Sequence, residues 1–335
     1  MSEESRIRAY AALPEYRKAL GLPPEVTEQY EMLAQGEYNR NYLFTHPVTR
    51  QKLLFRVNFG SQMHLEDQIG YEYQALALLE PSGRTPRPLY VDGSLAHLPY
   101  GVMVMEFLPG HVLDYHTELP FAAECMADIH SLEVSPDTHL IAPENQLRAI
   151  LEECEEMFAV YESSSAGDGA KKRQIRRMLD LVWKKADALS PPSYRCCINT
   201  ELNSTNFLIN GAGKGNYLID WEKPLYGEPA QDLGHFLAPT TTFWKTDVIL
   251  TKKEMKSFVE KYINCVAGRF DTENLMERTM VYIPVTCLRG ITWCAMAWIQ
   301  YQDPDRKITN ASTARKLEEY LSTEFLDRIE QNDIA

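Results

Sequence analysis

Between Asn206 and Asp220 this chain has little choice but to turn back on itself. Two short runs, Asn206-Phe-Leu-Ile-Asn210 and Asn216-Tyr-Leu-Ile-Asp220, share one pattern of polar ends around apolar residues, and Gly211-Ala-Gly-Lys-Gly215 lies between them. Such segments around a glycine-rich turn form an antiparallel hairpin. A hairpin of that length sets its open ends, Asn206 and Asp220, side by side. Five residues before Asn206 stands another carboxylate, Glu201, in Asn199-Thr-Glu-Leu-Asn-Ser-Thr-Asn206, and Trp221-Glu222 follows Asp220. Paired amide and carboxylate oxygens suit a hard divalent cation, and a further carboxylate can orient a hydroxyl. That is the combination phosphoryl transfer needs.

The stretch from Asn199 through Asp220-Trp221-Glu222 to Gly227-Glu-Pro-Ala-Gln-Asp232-Leu resembles the catalytic core of the aminoglycoside phosphotransferase and choline kinase superfamily. That pattern is His-Gly-Asp-x4-Asn, then Ile-Asp-Trp/Phe-Glu, then Gly-Asp-Pro-x-x-Asp-Leu. Two positions differ: Asn199 stands where the superfamily has His, and Glu201 where it has the catalytic Asp. Met126-Ala-Asp-Ile-His130-Ser-Leu132 is similar to the Leu-Ala-x-Leu-His-x-Leu helix of the same superfamily, and His130 reads as a packed structural histidine.

The resemblance implies an α+β, two-lobed, protein-kinase-like fold, with a small mixed β-sheet lobe and a large, mostly helical lobe. It implies ATP and Mg2+ as cofactors and a small molecule with a hydroxyl group as acceptor. Aminoglycosides, choline-like amines, homoserine, methylthioribose and other sugars are all phosphorylated within the superfamily. Asn206 and Asp220 would hold the metal, and Glu201 would orient the acceptor hydroxyl. Glu is one methylene longer than Asp and carries its carboxylate about 1.5 Å further. The substitution therefore leaves a second reading open, a nucleotide-binding pseudokinase with a regulatory or scaffold role.

The chain pattern fits such lobes. Residues 1–29 hold a helical run, Arg6–Leu20, before the breaker Gly21-Leu-Pro-Pro24. Tyr30–Ala34, Asn41–Phe44 and Lys52–Val57 read as strands, His64–Glu80 as a helix, and Pro86–Tyr90 and Gly101–Phe107 as further strands. These make a nucleotide-binding lobe over 30–108. Leu108-Pro109-Gly110 opens the connection to a catalytic and substrate lobe over 109–335. There Leu119–Leu132, Asn145–Ser163, Lys171–Leu189, Lys252–Ala267, Thr272–Gln300 with a break near Pro284, and Asn310–Asn332 are helical.

By position in that resemblance, Gly36 and Asn39 in Gln35-Gly-Glu-Tyr-Asn39 belong to the loop covering the phosphates. Arg56 takes the place of the phosphate-contacting Lys, and a guanidinium offers charge and a bidentate fork there. Glu72, beside the apolar helix face of Ile69 and Leu76, is its expected partner, with Glu66 and Asp67 as competitors. Glu106 and Leu108 would present backbone groups to adenine. Asp232 braces the catalytic loop. Trp244, Trp293, Trp298 and Tyr301 read first as core aromatics and second as a face for a sugar ring or an amine. The acidic run Glu152-Glu-Cys-Glu-Glu156 reads as a solvated helix face.

Composition bounds the rest. A formal net charge of −13 argues against nucleic acid or an anionic membrane as partner, since both require clustered Lys and Arg. The seven cysteines are odd in number and lack a C-x-x-C pair, the usage of a reducing compartment. Met-Ser-Glu-Glu-Ser-Arg lacks the basic start and apolar run of a secretory signal. No stretch approaches the roughly 18 uninterrupted apolar residues of a membrane span. A cytoplasmic location is expected, and the sequence leaves the oligomeric state open.

Overall fold

A computed structural model describes residues 3–302 and 310–334. They fall into two compact units, one of residues 3–112, 132–140 and 206–224, the other of 113–131, 141–205, 225–302 and 310–334.

The first unit is built on a five-stranded sheet of β1 (Glu31–Gln35), β2 (Asn39–Thr45), β3 (Lys52–Asn58), β4 (Pro88–Asp92) and β5 (Gly101–Glu106), in the order β1-β2-β3-β5-β4. The paired strands are antiparallel. The period of two in β3 sends Leu53, Phe55 and Val57 to one face and Arg56 to the other. On the first face the helices α1 (Glu3–Ala11) and α2 (Pro14–Leu20) contribute Ile7, Tyr10, Ala11 and Tyr16 to a core with Phe44, Phe55 and Val104. The expected single helix Arg6–Leu20 is two because Pro14 starts α2 at its first turn and holds Leu13 extended, at ψ 129°. The helix α3 (Gln68–Leu79) packs against β4 and β5. It begins later than the expected His64 because His64 adopts a positive φ of 57°, and Asp67 Oδ1 then accepts from Gly70 N at 2.9 Å as the cap.

The hairpin of the sequence is present in this unit. Phe207–Ile209 pairs with Tyr217–Leu218 on one side and with His111–Val112 on the other. Gly110 makes the latter approach possible. It has φ 147°, and a Cβ there would sit 2.8 Å from the Leu208 backbone and side chain.

The second unit is mostly helical: α4 (Leu119–His130), α5 (Gln146–Ser163), α6 (Gly169–Asp187), α7 (Pro229–Leu237), α8 (Pro239–Thr246), α9 (Lys252–Val266), α10 (Leu275–Tyr301), α11 (Ala311–Tyr320) and α12 (Thr323–Ile329). α10 is its central element, packing on α5 and α7. It runs through Pro284 without the expected break, although an interior proline costs about 3 kcal/mol. Tyr282 to Leu288 are all buried, and that packing holds the turn together. The expected helix Asn310–Asn332 divides where Ser322 caps α12, accepting from Phe325 N at 3.2 Å. Among the described residues α10 alone is long and apolar enough to cross a membrane, but 67% of its apolar window is buried inside the fold. Core helices share that composition.

Candidate active site

The hairpin delivers what its pattern implies. Phe207 pairs with Leu218 and Leu208 with Tyr217, and beyond the last pair Ile219 N donates to Asn206 O at 2.8 Å. Asn206, the last residue of the short turn Ser204–Asn206, and Asp220, two residues past the second strand, thus flank the paired strands at the open end. At the closed end Asn216 Oδ1 accepts from Asn210 N and Gly211 N, at 2.8 and 3.1 Å. Trp221 anchors the exit, fully buried with its indole N–H donating to Leu218 O at 3.1 Å. Asp220 itself has φ 69°. Asp is among the few non-glycine types enriched in that conformation.

Arg56 emerges from β3 on the face of the sheet that meets α3. Its Nε donates to Asn41 Oδ1 at 2.9 Å, and its Nη1 pairs with Glu72 Oε1. Asp67 is spent on the cap of α3, so Glu72 is the partner. Both side chains are less than one-tenth exposed. Burial works against the Arg56 charge, yet Glu72, Asp220 and Glu222 outweigh it and keep the guanidinium protonated above its ordinary range. Burial also raises the Glu72 carboxyl, against the pull of Arg56. Burial and then the Asp220 charge push Glu222 up to about 7. Three carboxylates therefore share one guanidinium. Glu72 Oε2 is buried with no hydrogen-bond partner.

Glu222 is tied into this cluster by its side chain and its backbone. Its carboxylate accepts from Asn39 Nδ2, while Asn39 Oδ1 accepts from Asn58 Nδ2 at 2.9 Å. Its carbonyl accepts from Gln68 Nε2 at 2.7 Å, and Tyr71 OH donates to Pro224 O at 2.6 Å, which fixes residues 222–224 to α3. The Trp-Glu pair after Asp220 was the available signal. Gly36 closes the turn before β2, its N–H donating to Asn39 O at 2.8 Å. Asn39 is thereby part of one polar cluster with Asn58 and Glu222. Glu106 N donates to Arg87 O at 2.9 Å, so its amide is spent on the sheet, and Leu108 is buried.

The metal reading fits this chemistry. Among the described residues no group of three His, Cys, Asp or Glu side chains forms a closed cage. Magnesium does not require one: it is held by one or two protein oxygens, with phosphates and water completing its shell. An Asp and an Asn oxygen donor at one hairpin end, within a cluster short of positive charge, supply that.

The second unit carries the loop with Glu201. The strand Cys196–Ile198, paired with Leu225–Gly227, leads into it. Asp232, fully buried on α7, accepts from Asn199 N and from Thr200 N, both at 2.7 Å. Its Oδ2 also lies 3.2 Å from His130 Nε2, and His130 Nδ1 lies 2.8 Å from Tyr262 OH. Asp232 therefore braces the loop, and the buried His130 serves the brace. Thr200 turns the chain with φ 76°. Asn199 Oδ1 accepts from Glu201 N at 3.2 Å, a support its amide provides in place of an imidazole. The Glu201 carboxylate is 42% exposed, with Arg289 Nη1 of α10 at 3.9 Å. Glu228, preceding α7, is a buried structural carboxylate held by Arg278 and Tyr282.

One surface expectation changes. The acidic run of α5 is not simply solvated: Glu153 pairs with Arg289 and Glu155 with Arg176. Trp244 packs edge-on to both Trp293 and Tyr320, and Trp298 edge-on to Tyr161. These rings are packed against neighbours, though Trp293 keeps 39% exposure.

The family model described as the phosphotransferase enzyme family matches residues 29–254. No curated protein matches the chain in sequence. Among solved structures, choline kinase from Cryptosporidium parvum Iowa II is similar with a TM-score of 0.66 at 13% identity, over 98% of this chain and 95% of that one. Spectinomycin phosphotransferase in complex with ADP and spectinomycin has a TM-score of 0.61 at 15% identity, over 95% and 97%. Amicoumacin kinase in complex with AMP-PNP and Ca2+ has a TM-score of 0.62 at 14% identity, over 98% and 96%. At such identities the likeness concerns the fold, which is that of the two-lobed, kinase-like phosphotransferases.

Proposed function

We propose that this chain, which belongs to the phosphotransferase enzyme family, transfers the γ-phosphate of ATP to a hydroxyl group of a small molecule with magnesium as cofactor. The observation that carries the reading is that Asn206 and Asp220 flank the two strands at one hairpin end, where Ile219 N, next to Asp220, donates to Asn206 O at 2.8 Å. The charge of Asp220 acts on Arg56 and on Glu222, so the hairpin end and the ion pair belong to one electrostatic cluster.

Each residue then has a role its setting supports. Asn206 and Asp220 would hold magnesium, which neutralises phosphate charge when bound. Arg56, oriented by Asn41 and Glu72, clamps a phosphate oxygen. Gly36 and Asn39 would form the covering turn, and the carbonyl of Glu106, whose amide is spent on the sheet, and the backbone of Leu108 would meet the base. Glu201 orients the acceptor hydroxyl and takes its proton as the oxygen bonds to the γ-phosphorus and the bond to the β-phosphate oxygen breaks, releasing ADP. The chemistry is positioning and charge balance.

The reading predicts a thermal signature. A ligand that binds only the folded chain stabilises it by about 2.7 kcal/mol at 100 times its dissociation constant. Magnesium-ATP at millimolar concentration therefore raises the Tm by several degrees, and EDTA removes most of the rise. An unchanged Tm with every nucleoside triphosphate would overturn the proposal at its foundation.

A further inference from the structure

We propose that Arg289 is a positioning residue for Glu201, held ready by Glu153. The inference deepens the reading above and rests on it, because it assigns Arg289 a role only if Glu201 orients the acceptor hydroxyl.

The geometry is that of a fork with one prong left over. Arg289 lies on α10 and faces α5, where Glu153 takes two of its nitrogens: Nε at 2.9 Å to Oε2 and Nη2 at 3.4 Å to Oε1. That side-on, bidentate contact fixes the guanidinium plane. The remaining nitrogen, Nη1, is the one 3.9 Å from Glu201 Oε1. The arginine side chain is 29% exposed and Glu201 42%, so this is a partly screened contact at the edge of an ion pair. Its value is in orientation. A Glu side chain has one more rotatable bond than an Asp, and an oxygen placed by chance among its rotamers cannot serve as a positioned base. A guanidinium anchored from a separate helix selects the rotamers in which the carboxylate leans towards α10.

The supports of the loop are thus divided. Asp232 and Asn199 hold its backbone through the amides of Asn199, Thr200 and Glu201. Arg289 acts on the Glu201 side chain itself. This also accounts for a glutamate at a position where the resemblance has Asp, since the longer side chain reaches the arginine and a shorter one would not.

The test is a double-mutant cycle read as ADP release from magnesium-ATP, with water as acceptor and with any hydroxyl compound that accelerates release. Arg289→Gln lowers kcat roughly 10-fold with the KM for ATP unchanged, within the range of coupling between groups in one network. In a Glu201→Asp background, whose carboxylate is drawn back from Arg289, the same change costs less than about 2-fold. Equal losses in both backgrounds would overturn the proposal, because a purely structural arginine affects both alike. Arg289→Lys keeps the charge without the fork and loses an intermediate amount in wild type only. It also serves as the informative variant should Arg289→Gln fail to show the magnesium-ATP rise in Tm. Glu201→Gln separates the two ideas. If it turns over as fast as wild type, the role of Glu201 itself fails; if it is slow while the cycle is additive, only the role of Arg289 falls.

Discussion

Glu201→Gln lowers turnover roughly 100-fold or more, the scale of a positioned general base, while magnesium-ATP still raises the Tm. The change is nearly isosteric and removes the ability to accept a proton. It leaves the loop in place, because the bonds that shape it run to backbone amides: Asp232 to Asn199 and Thr200, and Asn199 to Glu201. Binding and chemistry are therefore separated by one group, and a 100-fold loss corresponds to about 2.7 kcal/mol of transition-state stabilisation. Glu201→Asp restores the residue of the resembling superfamily but draws the carboxylate back by about 1.5 Å, so partial activity follows rather than a gain. Initial rates of ADP release under saturating ATP, paired with thermal shifts, check both variants. Equal rates for Glu201→Gln and wild type would remove Glu201 from the chemistry.

Asp220→Asn abolishes turnover and the EDTA-sensitive part of the ATP-induced rise in Tm, about 2.7 kcal/mol of linkage at 100 times the dissociation constant. Asn is the variant of choice because Asp220 holds φ 69°, which Asn adopts more readily than Ala. The hairpin persists, since it is held by the pairs Phe207–Leu218 and Leu208–Tyr217 and by the buried Trp221. What the variant loses is charge at the proposed metal position. Retention of the full metal-dependent shift would show that the cation is held elsewhere.

The parts of this structure legible in the sequence are those that short-range physics dictates. The glycine turn and matched flanks of 206–220 fix a hairpin, and alternation in Lys52–Val57 places Arg56 opposite the aromatic core face. The helix after β3 carries Glu72 where Arg56 can reach it, and the structure adds why Asp67 cannot compete: it is consumed as a cap. What eluded the sequence depends on groups far apart in the chain. Asn39 and Glu222 are separated by 183 positions, and no periodicity connects them. Arg289 reads as an ordinary charge on an apolar helix until α10 meets α5. Pro229–Leu237 and Pro239–Thr246 were overlooked as helices because each opens on a proline, which reads as a breaker yet suits the first helical turn. Pro284 was read as a break for the same reason, and there burial prevailed over local preference. The helices α1 and α2 look peripheral in sequence, yet Tyr10 and Tyr16 are almost wholly buried beside Phe55.

The most direct measurement of the central claim is phosphate transfer itself. Wild-type protein with magnesium and γ-labelled ATP is offered choline, ethanolamine, homoserine, aminoglycosides including spectinomycin, and hydroxylated sugars, and the label is followed by mass spectrometry. The account predicts that at least one compound gains a phosphate on a hydroxyl, with equimolar ADP, and that Glu201→Gln and Asp220→Asn do not support the transfer. Magnesium-ATP binding with ADP release that no acceptor accelerates, and that is equal in wild type and Glu201→Gln, would contradict it.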